Sequence, residues 1–326
     1  MCSLKVNVSI VIPAFNEERY IGNCLDSISQ LNYPKDSLEV IVVDNGSRDQ
    51  TVNIAKKYDV KVLVKSDGKV GAVRNYGAKN AKGEVLFFLD SDCTLSKDWL
   101  MNAIEFYKAE PGSVYGGQYL LRERPSWIEK YWILGDPSKK MNQRTLVGGC
   151  IMIPKKIFFD VGLFNEMLNS GEDTDLHNRL EASGYSVYLR PEFNVTHLGF
   201  PSTIEEFIKR QVWHSSDYII RWRKLYKDKV FVLVLMFLAG LFSLVLTAGT
   251  SLNVNIVLAS SILMLVAPLV LSIKRIRRSQ FHSKKAADYF LIFIVDVIYL
   301  IGRSIGFLNS IKNAVILNKY KKISRR

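Results

Sequence analysis

The stretch Val85-Leu86-Phe87-Phe88-Leu89-Asp90-Ser91-Asp92 decides the fold, because five consecutive apolar residues end on two carboxylates separated by one residue. A continuous apolar run is typical of a strand buried on both faces, as in a parallel sheet covered by helices. Sheets of this kind bind ligands beyond the carboxyl ends of their strands. We therefore expect an α/β domain with Asp90 and Asp92 at its ligand site.

Two carboxylates this close repel one another, so the pair is expected to need a cation. Mg2+ and Mn2+ prefer carboxylate oxygens, and Mg2+ is often shared between protein carboxylates and substrate phosphates. The pair therefore favours a site for a divalent metal ion that binds a diphosphate. The alternative is a solvated turn, in which Asp and Ser are common.

The preceding residues predict further alternation of strands and helices. Predicted strands cover residues 8–13, 38–43 and 60–64, and each is followed by a polar loop and a helical segment. This alternation predicts a right-handed, doubly wound sheet. The first turn, Pro13-Ala14-Phe15-Asn16-Glu17, lacks the Gly-x-Gly-x-x-Gly of dinucleotide-binding dehydrogenases, which excludes that class.

Polar groups at the ends of these strands are expected to share one cleft, namely Asp44, Arg74, Asp90 and Asp92. Arg74 is suited to bidentate binding of a phosphate, and Asp44 can accept hydrogen bonds from a base or ribose. The alternatives are a surface ion pair for Arg74 and a helix N-cap for Asp44.

Three acids stand among the four residues Glu172 to Asp175, ahead of a helical pattern. One acid at a helix start is explained by capping and by the helix dipole, but three exceed what one cap needs. One of these acids is therefore a candidate base that takes the proton of an acceptor hydroxyl while a metal ion neutralises the leaving phosphate. A single base and in-line attack imply inversion at the carbon that is attacked.

A glycine pair and a histidine are also candidate site residues. Gly148 and Gly149 let the backbone approach a substrate closely. His197 follows a predicted strand at 186–189 and is a candidate ligand of the metal or the phosphate. A structural histidine with satisfied hydrogen bonds is the alternative.

The net charge of +13 is carried by the C-terminal third of the 326-residue chain. Residues 1–220 have a net charge of −2, and residues 221–326 have a net charge of +15. Because this third is also the most apolar, an anionic membrane surface explains the charge better than nucleic acid. The cysteines Cys2, Cys24, Cys93 and Cys150 have no metal-ligand spacing, which predicts reduced thiols in a cytosolic compartment.

Residues 230–249 and 254–273 are uncharged over twenty residues each, which is enough to span a hydrocarbon core of about 30 Å. Basic clusters before the first span and after the second predict that both ends are cytoplasmic. A pair of buried core helices is the alternative. A third apolar segment, 289–308, holds Asp296 and Arg303 on one helical face, and we favour an interfacial or partly inserted helix over a third span.

Five ordered motifs resemble those of family 2 glycosyltransferases with the GT-A fold. They are VSIVIPAFNE at 8–17, VIVVDNGSRDQT at 40–51, GAVRNYGAKNAKGEVLFFLDSD at 71–92, VGGCIMI at 147–153 and GEDTDL at 171–176. The resemblance covers roughly the first 215 residues. Asn45 departs from the pattern, since many members carry a second acid there, and this leaves the nucleoside base open.

The resemblance implies a cofactor, Mg2+ or Mn2+, and a set of site residues. Asp173 would be the catalytic base, with Glu172 as a further catalytic candidate. The metal site would be formed by Asp92, Asp90 and His197. The nucleotide-sugar site would be formed by Pro13, Ala14, Glu17, Asp44, Arg74, Asp90 and Gly149.

The sequence thus predicts a catalytic domain at 1–220 and a membrane region at 221–326, in a multi-pass protein of the cell (inner) membrane whose catalytic domain is cytoplasmic. It would move a sugar from a UDP- or GDP-sugar to a lipid-linked or glycan acceptor in cell-surface glycan or glycolipid synthesis, without a nucleic-acid partner. A close variant transfers to polyprenyl phosphate. A non-catalytic membrane protein that binds nucleotide sugar or scaffolds a partner enzyme is the alternative of another class.

Residues Lys209-Arg210-Gln211-Val212-Trp213 partly resemble the Gln-x-x-Arg-Trp signature of processive members, but their order differs. Processive polymer synthesis is therefore not predicted. Arg210 and Trp213 are equally suited to a helix face that lies on a membrane.

Overall fold

A computed structural model describes residues 6–134, 144–215, 218, 229–248 and 254–323, with side chains as far as Lys312. The described α-helices are α1 (Ile21–Ser29), α2 (Thr51–Ala55), α3 (Val70–Asn80), α4 (Trp99–Ala109), α5 (Trp127–Trp132), α6 (Lys155–Asp160), α7 (Glu172–Ala182), α8 (Ile204–Ser215), α9 (Lys229–Ala248), α10 (Val254–Ser279) and α11 (Ala286–Ile323). The described strands are β1 (Val8–Ala14), β2 (Leu38–Asp44), β3 (Lys61–Val64), β4 (Val85–Leu89), β5 (Cys93–Thr94), β6 (Val114–Gly116), β7 (Tyr119–Leu120), β8 (Cys150–Pro154), β9 (Val187–Leu189) and β10 (Val195–His197).

The chain forms two compact units. The first unit comprises Met1–Glu123 and Pro137–Phe200, and the second comprises Arg124–Asp136 and Pro201–Arg326. The second unit therefore includes α5 and α8, which the predicted boundary at residue 220 had placed in the catalytic domain. That boundary was drawn where the long apolar runs approach, and short amphipathic helices give no such signal.

The main sheet of the first unit has the strand order β3-β2-β1-β4-β8-β6-β9. Strands β3, β2, β1 and β4 are parallel, as the alternating pattern predicted. Strand β8 runs antiparallel to both of its neighbours, β4 and β6, so the sheet is mixed. The α/β class is confirmed, but an apolar run does not reveal the direction of a buried strand, because either direction gives the same pattern.

Strand pairing brings distant residues to the carboxyl end of β4. Leu89, the last residue of β4, pairs with Cys150, the first residue of β8, so Gly148 and Gly149 lie where β4 ends. A second sheet has the order β5-β10-β7 and pairs Cys93 with His197. The two sheets therefore place a glycine loop and a histidine beside the two acids that follow β4.

Strand β4 is buried on both faces. All five of its residues, Val85 to Leu89, are 0% exposed. The ring of Phe87 stacks on Trp99 of α4 at 4.2 Å between centroids, and Phe88 packs against Phe158 at 4.9 Å in the other core cluster. Burial of each such side chain contributes about 1.5–3 kcal/mol. The prediction of a doubly buried strand is confirmed.

In the second unit, α9, α10 and α11 are each long and apolar enough to cross a membrane. Helices α9 and α10 contain most of the two predicted spans and approach each other closely. A Cβ on Gly240 would lie 2.8 Å from the backbone nitrogen of Met264, and Ser243 Oγ lies 2.6 Å from Ser260 Oγ. Small residues at such contacts are typical of helices packed in membranes. The basic residues at 221–227, predicted to precede the first span, lie outside the described residues.

Candidate active site

The site lies at the carboxyl ends of the parallel strands. Ala14 ends β1, Asp44 ends β2 beside it, and Asp90 follows β4 directly. The fold therefore brings the ends of three predicted strands together at one edge of the sheet, as the sequence suggested. The contacts of each side chain there differ in part from those that were expected.

Arg74 of α3 bridges two carboxylates. Its Nη2 donates to Asp90 Oδ1 at 2.6 Å, and its Nη1 donates to Glu172 Oε1 at 2.7 Å. Burial alone would lower the pKa of Arg74, but the charges of Asp90 and Glu172 outweigh it and raise that pKa. In this arrangement Arg74 is the countercharge of two acids, whereas the sequence had suggested a bidentate donor to phosphate.

Tyr119 of β7 holds the second oxygen of Asp90. Its hydroxyl donates to Asp90 Oδ2 at 2.8 Å and accepts from the N–H of Gly149 at 3.0 Å. Burial would raise the pKa of Asp90, but the charge of Arg74 and the hydrogen bond from Tyr119 hold it below its usual range. Asp90 is therefore an ionised carboxylate with both oxygens engaged. The sequence did not point to Tyr119, because a single tyrosine in a short strand carries no pattern.

Gly148 and Gly149 leave no room for side chains. A Cβ on Gly148 would lie 2.7 Å from Arg74 Nη2, and a Cβ on Gly149 would lie 2.3 Å from Asp90 Cγ. The close approach that the glycine pair predicted is thus an approach to the Arg74 and Asp90 side chains. Larger residues here would separate the loop from the end of β4.

Asp92 lies beside His197 and Cys93. Its Oδ2 is 3.4 Å from His197 Nε2, and its Oδ1 is 3.9 Å from Cys93 Sγ. One potential ligand atom from each of the three residues lies within 4.8 Å of the other two. A carboxylate oxygen and an imidazole nitrogen suit Mn2+, whereas a thiol suits softer ions. The donor set therefore fits a divalent ion held by Asp92 and His197, with Cys93 at its side.

The imidazole of His197 is fixed by aromatic neighbours. Its ring packs edge-on against Tyr119 at 4.6 Å and stacks on Phe200 at 4.2 Å between centroids. Gly199 completes the enclosure, since a Cβ there would lie 2.0 Å from Asp92 Oδ2. These contacts hold Nε2 beside the Asp92 carboxylate, so the two potential ligand atoms lie close enough to bind one ion.

The described cysteines Cys24, Cys93 and Cys150 are buried free thiols. This agrees with the prediction of reduced thiols, while Cys2 lies outside the described residues. Burial raises the pKa of the Cys150 thiol to about 12, so it is protonated at neutral pH. The sequence did not suggest Cys93 as part of the site, because its approach to His197 depends on the pairing of β5 with β10.

Asp173 stands in the first turn of α7. Its Oδ2 accepts from the N–H of Gly148 at 3.1 Å, and its Oδ1 accepts from the N–H of Thr174 at 2.6 Å. Burial and the neighbouring charge of Glu172 raise its pKa above the ordinary value. The N-cap residue is Gly171, in a left-handed conformation with a φ of 77°. The N-cap alternative for the acids is therefore not what the structure shows.

The residues expected to bind the base and ribose lie in two loops that are joined by a hydrogen bond. The Asp44 carboxylate is buried and accepts from the N–H groups of Gly46 at 3.0 Å and Ser47 at 3.2 Å. The N–H of Glu17 donates to Thr51 Oγ1 at 2.7 Å, which links the loops after β1 and β2. Asp44 thus binds the turn that follows β2, whereas the N-cap of α2 is Gln50, so the N-cap alternative for Asp44 is not what the structure shows. Pro13 and Ala14 are the last two residues of β1.

Arg74→Met is expected to lower the free energy of unfolding by about 3–5 kcal/mol, because it leaves Asp90 and Glu172 buried without their countercharge. The matched control is Lys65→Met, which removes the more exposed ion pair with Asp67 and should cost about 0–1 kcal/mol. Denaturant unfolding of both variants in detergent measures the difference. Equal, small losses in the two variants would show that the buried bridge contributes no stability.

Known proteins are similar to this chain in sequence and in fold. Residues 9–168 match the family described as Glycosyl transferase family 2. Glycosyltransferase AglE of Haloferax volcanii is 28% identical over 248 residues, which are 72% of this chain and 80% of AglE. A Methanococcus voltae protein is 25% identical over 272 residues, 74% of this chain and 81% of its own length. It is named dolichyl N-acetyl-α-D-glucosaminyl phosphate 3-β-D-2,3-diacetamido-2,3-dideoxy-β-D-glucuronosyltransferase.

Several solved structures align with most of the chain. Mannosyltransferase PcManGT from Pyrobaculum calidifontis, in complex with GDP-Man and Mn2+, has a TM-score of 0.57 and 18% sequence identity. The alignment covers 94% of this chain and 88% of PcManGT. At this level of identity the likeness shows that the two chains share a fold.

Proposed function

We propose that this chain, whose residues 9–168 match glycosyl transferase family 2, is a membrane-bound, metal-dependent, inverting enzyme. It moves a sugar from a nucleotide diphosphate donor to a lipid-linked acceptor at the cytoplasmic face. One observation carries the proposal. Two acids at the end of β4 have different partners, Arg74 for Asp90 and His197 for Asp92, while Asp173 has a raised pKa.

The different partners give the two acids different roles. Arg74 already compensates the charge of Asp90, so Asp90 is a fixed group that shapes the nucleotide site. Asp92 and His197 would hold the divalent ion, which supplies positive charge to the leaving diphosphate when bound. The close pairing of oxygen and nitrogen donors at 3.4 Å is the basis for this assignment.

Asp173 is proposed as the general base. A base is most effective when its pKa lies near the working pH. Burial and the charge of Glu172 raise the pKa of Asp173 from its ordinary value toward neutral pH. Its carboxylate takes the proton of the acceptor hydroxyl as the hydroxyl oxygen bonds to the sugar carbon and the diphosphate leaves. Glu172 is held by Arg74 at 2.7 Å, so we assign it a positioning role instead of the predicted catalytic one.

The acceptor is proposed to be lipid-linked. Three apolar helices follow the first unit, and a chain held at a bilayer meets lipid-linked acceptors at a high effective concentration. The name of the Methanococcus voltae relative also specifies a dolichyl phosphate-linked sugar. The donor is proposed to be a UDP- or GDP-sugar. Asn45, and Asp44 with its hydrogen bond from Gly46, do not decide between the two bases.

A transfer assay tests the proposal. Membranes that contain the chain are given radiolabelled UDP- and GDP-sugars with Mn2+, and either a polyprenyl phosphate-linked sugar or polyprenyl phosphate itself. We expect label in the lipid extract with the linked sugar and none with membranes that lack the chain. Label with polyprenyl phosphate alone would assign the close variant as the activity. Binding of a nucleotide sugar without hydrolysis or transfer would favour the non-catalytic alternative.

A further inference from the structure

The length of α11 exceeds what a membrane span needs. It has 38 residues, about 57 Å at 1.5 Å per residue, against a hydrocarbon core of about 30 Å. Its apolar window, Ala286–Lys312, satisfies the length and composition of a third span. An apolar helix of this length also fits the plane of a membrane surface, so its direction relative to α9 and α10 decides between the two placements.

The contact between Ser243 and Ser260 sets the register of the α9–α10 hairpin. Phe231 lies twelve residues before Ser243 in α9, and Ser272 lies twelve residues after Ser260 in α10. Because the two helices are antiparallel and rise equally per residue, Phe231 and Ser272 lie at the same level of the hairpin. This level is near the basic end, where α9 begins and α10 ends.

Helix α11 touches both residues of that level. Asp296 Oδ2 accepts from Ser272 Oγ at 2.7 Å, and the ring of Phe307 packs against Phe231 at 5.3 Å between centroids. Asp296 and Phe307 are eleven residues apart, about 16 Å along α11. If α11 were parallel to α9 and α10, these two contacts would lie about 16 Å apart along the axis of the hairpin. Since the level is the same, α11 passes across the hairpin from α10 to α9.

The remaining partners of α11 hold it at this basic end. Arg275 of α10 pairs with Asp296 and donates to the carbonyl of Trp132 of α5 at 2.6 Å. Farther along α11, Gly306 packs on α8, where a Cβ would lie 2.0 Å from Ser215 Oγ. The small residue lets the two helices approach closely, as in other small-residue helix contacts. Helices α5 and α8 thus pack against one side of α11.

The opposite side of α11 is an apolar stripe. It repeats at intervals of three and four residues and consists of Phe290, Ile294, Val297, Ile301, Ile305 and Leu308. Phe290 is 62% exposed and Leu308 is 52% exposed. Asp296 is fully buried on the packed side, where its partners lie. Phe290, Ile305 and Leu308 of the stripe are therefore exposed, whereas Ile301 packs partly against the core cluster that contains Ile292, Val295 and Leu300.

We propose that α11 lies in the membrane interface, across the basic end of the α9–α10 hairpin, with its apolar stripe in the acyl-chain boundary of an anionic leaflet. The chain then crosses the membrane twice, and both termini are on the same side. Lipid is the occupant because the hairpin anchors this surface to the bilayer, and because Lys274, Arg277, Arg278, Lys284 and Lys285 provide positive charge at the same end. The placement of α11 is independent of the proposed enzymatic function.

Labelling of single cysteines tests the number of crossings. Gly112→Cys marks the first unit, Ser251→Cys marks the residues between α9 and α10, and Ser324→Cys marks the residues after α11. The unmodified chain is the blank for the native thiols. A membrane-impermeant maleimide is applied separately to sealed right-side-out and sealed inside-out vesicles. We expect Ser324→Cys to react on the same side as Gly112→Cys, opposite Ser251→Cys. Reaction of Ser324→Cys on the side of Ser251→Cys would overturn the proposal.

Depth measurements test the orientation of α11 itself. Nitroxides are attached to Phe290→Cys, Ile301→Cys and Leu308→Cys in vesicles with anionic lipid, and their depths are measured by power saturation. We expect similar, shallow depths at the three positions. A spanning helix would place Ile301 deeper than Phe290 by about 16 Å and deeper than Leu308 by about 10 Å, which would refute the interfacial placement.

Discussion

Asp92→Asn is expected to lower kcat/KM for sugar transfer by about a thousandfold. The change keeps the size of the side chain but removes the negative charge that would bind the divalent ion beside His197. A thousandfold loss corresponds to about 4 kcal/mol of transition-state stabilisation, within the range for removal of one electrostatic group from an active site. The measurement is the initial rate of transfer from the donor over a range of Mn2+ concentrations.

Asp98→Asn is the matched control for this variant. Asp98 is exposed, hydrogen-bonds to Asn32, and precedes α4, only six residues from Asp92. It should keep the activity of the unmodified chain within about twofold, because surface substitutions have small effects. Similar activity and the same Mn2+ requirement in Asp92→Asn would remove this residue from the metal site.

Asp173→Asn is expected to lower kcat on a hydroxyl acceptor by about 10²–10⁴-fold, the usual contribution of a general base. The amide retains the shape and can still accept from the N–H of Gly148, but it cannot take a proton. A phosphate acceptor is already anionic and should tolerate the change far better. Comparison of the two acceptors with one variant therefore separates loss of the base from loss of the fold.

The pH dependence of kcat gives a second measurement of the same residue. Asp173 acts as a base only when ionised, so activity falls as the pH drops through its pKa. Since burial and Glu172 raise that pKa, the acidic limb should lie at higher pH than for an ordinary aspartate. Asp173→Asn should lose this limb. The control is Asp175→Asn, which should keep the limb, because Asp175 forms an ion pair with Arg179 of the same helix. An unchanged limb in Asp173→Asn would assign the base to another group.

The parts of the fold that follow from local pattern could be predicted from the sequence. The run Val85–Leu89 predicts a strand buried on both faces, and its 0% exposure confirms this. The direction of β8 could not be predicted, because Cys150–Pro154 is apolar whichever way the strand runs. The same limit applies to α5 and α8, whose membership of the second unit depends on tertiary packing.

The site shows the same division between local and long-range information. Asp90, Asp92 and Asp173 could be proposed as site residues because their motifs are contiguous in sequence. The bridge from Arg74 to Glu172 joins residues 98 apart, and no spacing rule links them. Tyr119 reaches Asp90 only because β7 and β10 lie in a second sheet. Sequence reasoning therefore placed Arg74 and the acids in one cleft, but it did not show that Arg74 pairs with Glu172 or that Tyr119 contacts Asp90.

The most direct test of the account is the Mn2+ dependence of nucleotide binding. UDP and GDP are added to the purified chain with Mn2+ or with a chelator, and thermal unfolding is followed. At a hundredfold excess over the dissociation constant, a bound nucleotide should stabilise the chain by about 2.7 kcal/mol. We expect this stabilisation with Mn2+, in the unmodified chain and in Asp98→Asn, and its loss with chelator or in Asp92→Asn. Equal stabilisation with chelator and in Asp92→Asn would contradict a metal site at Asp92.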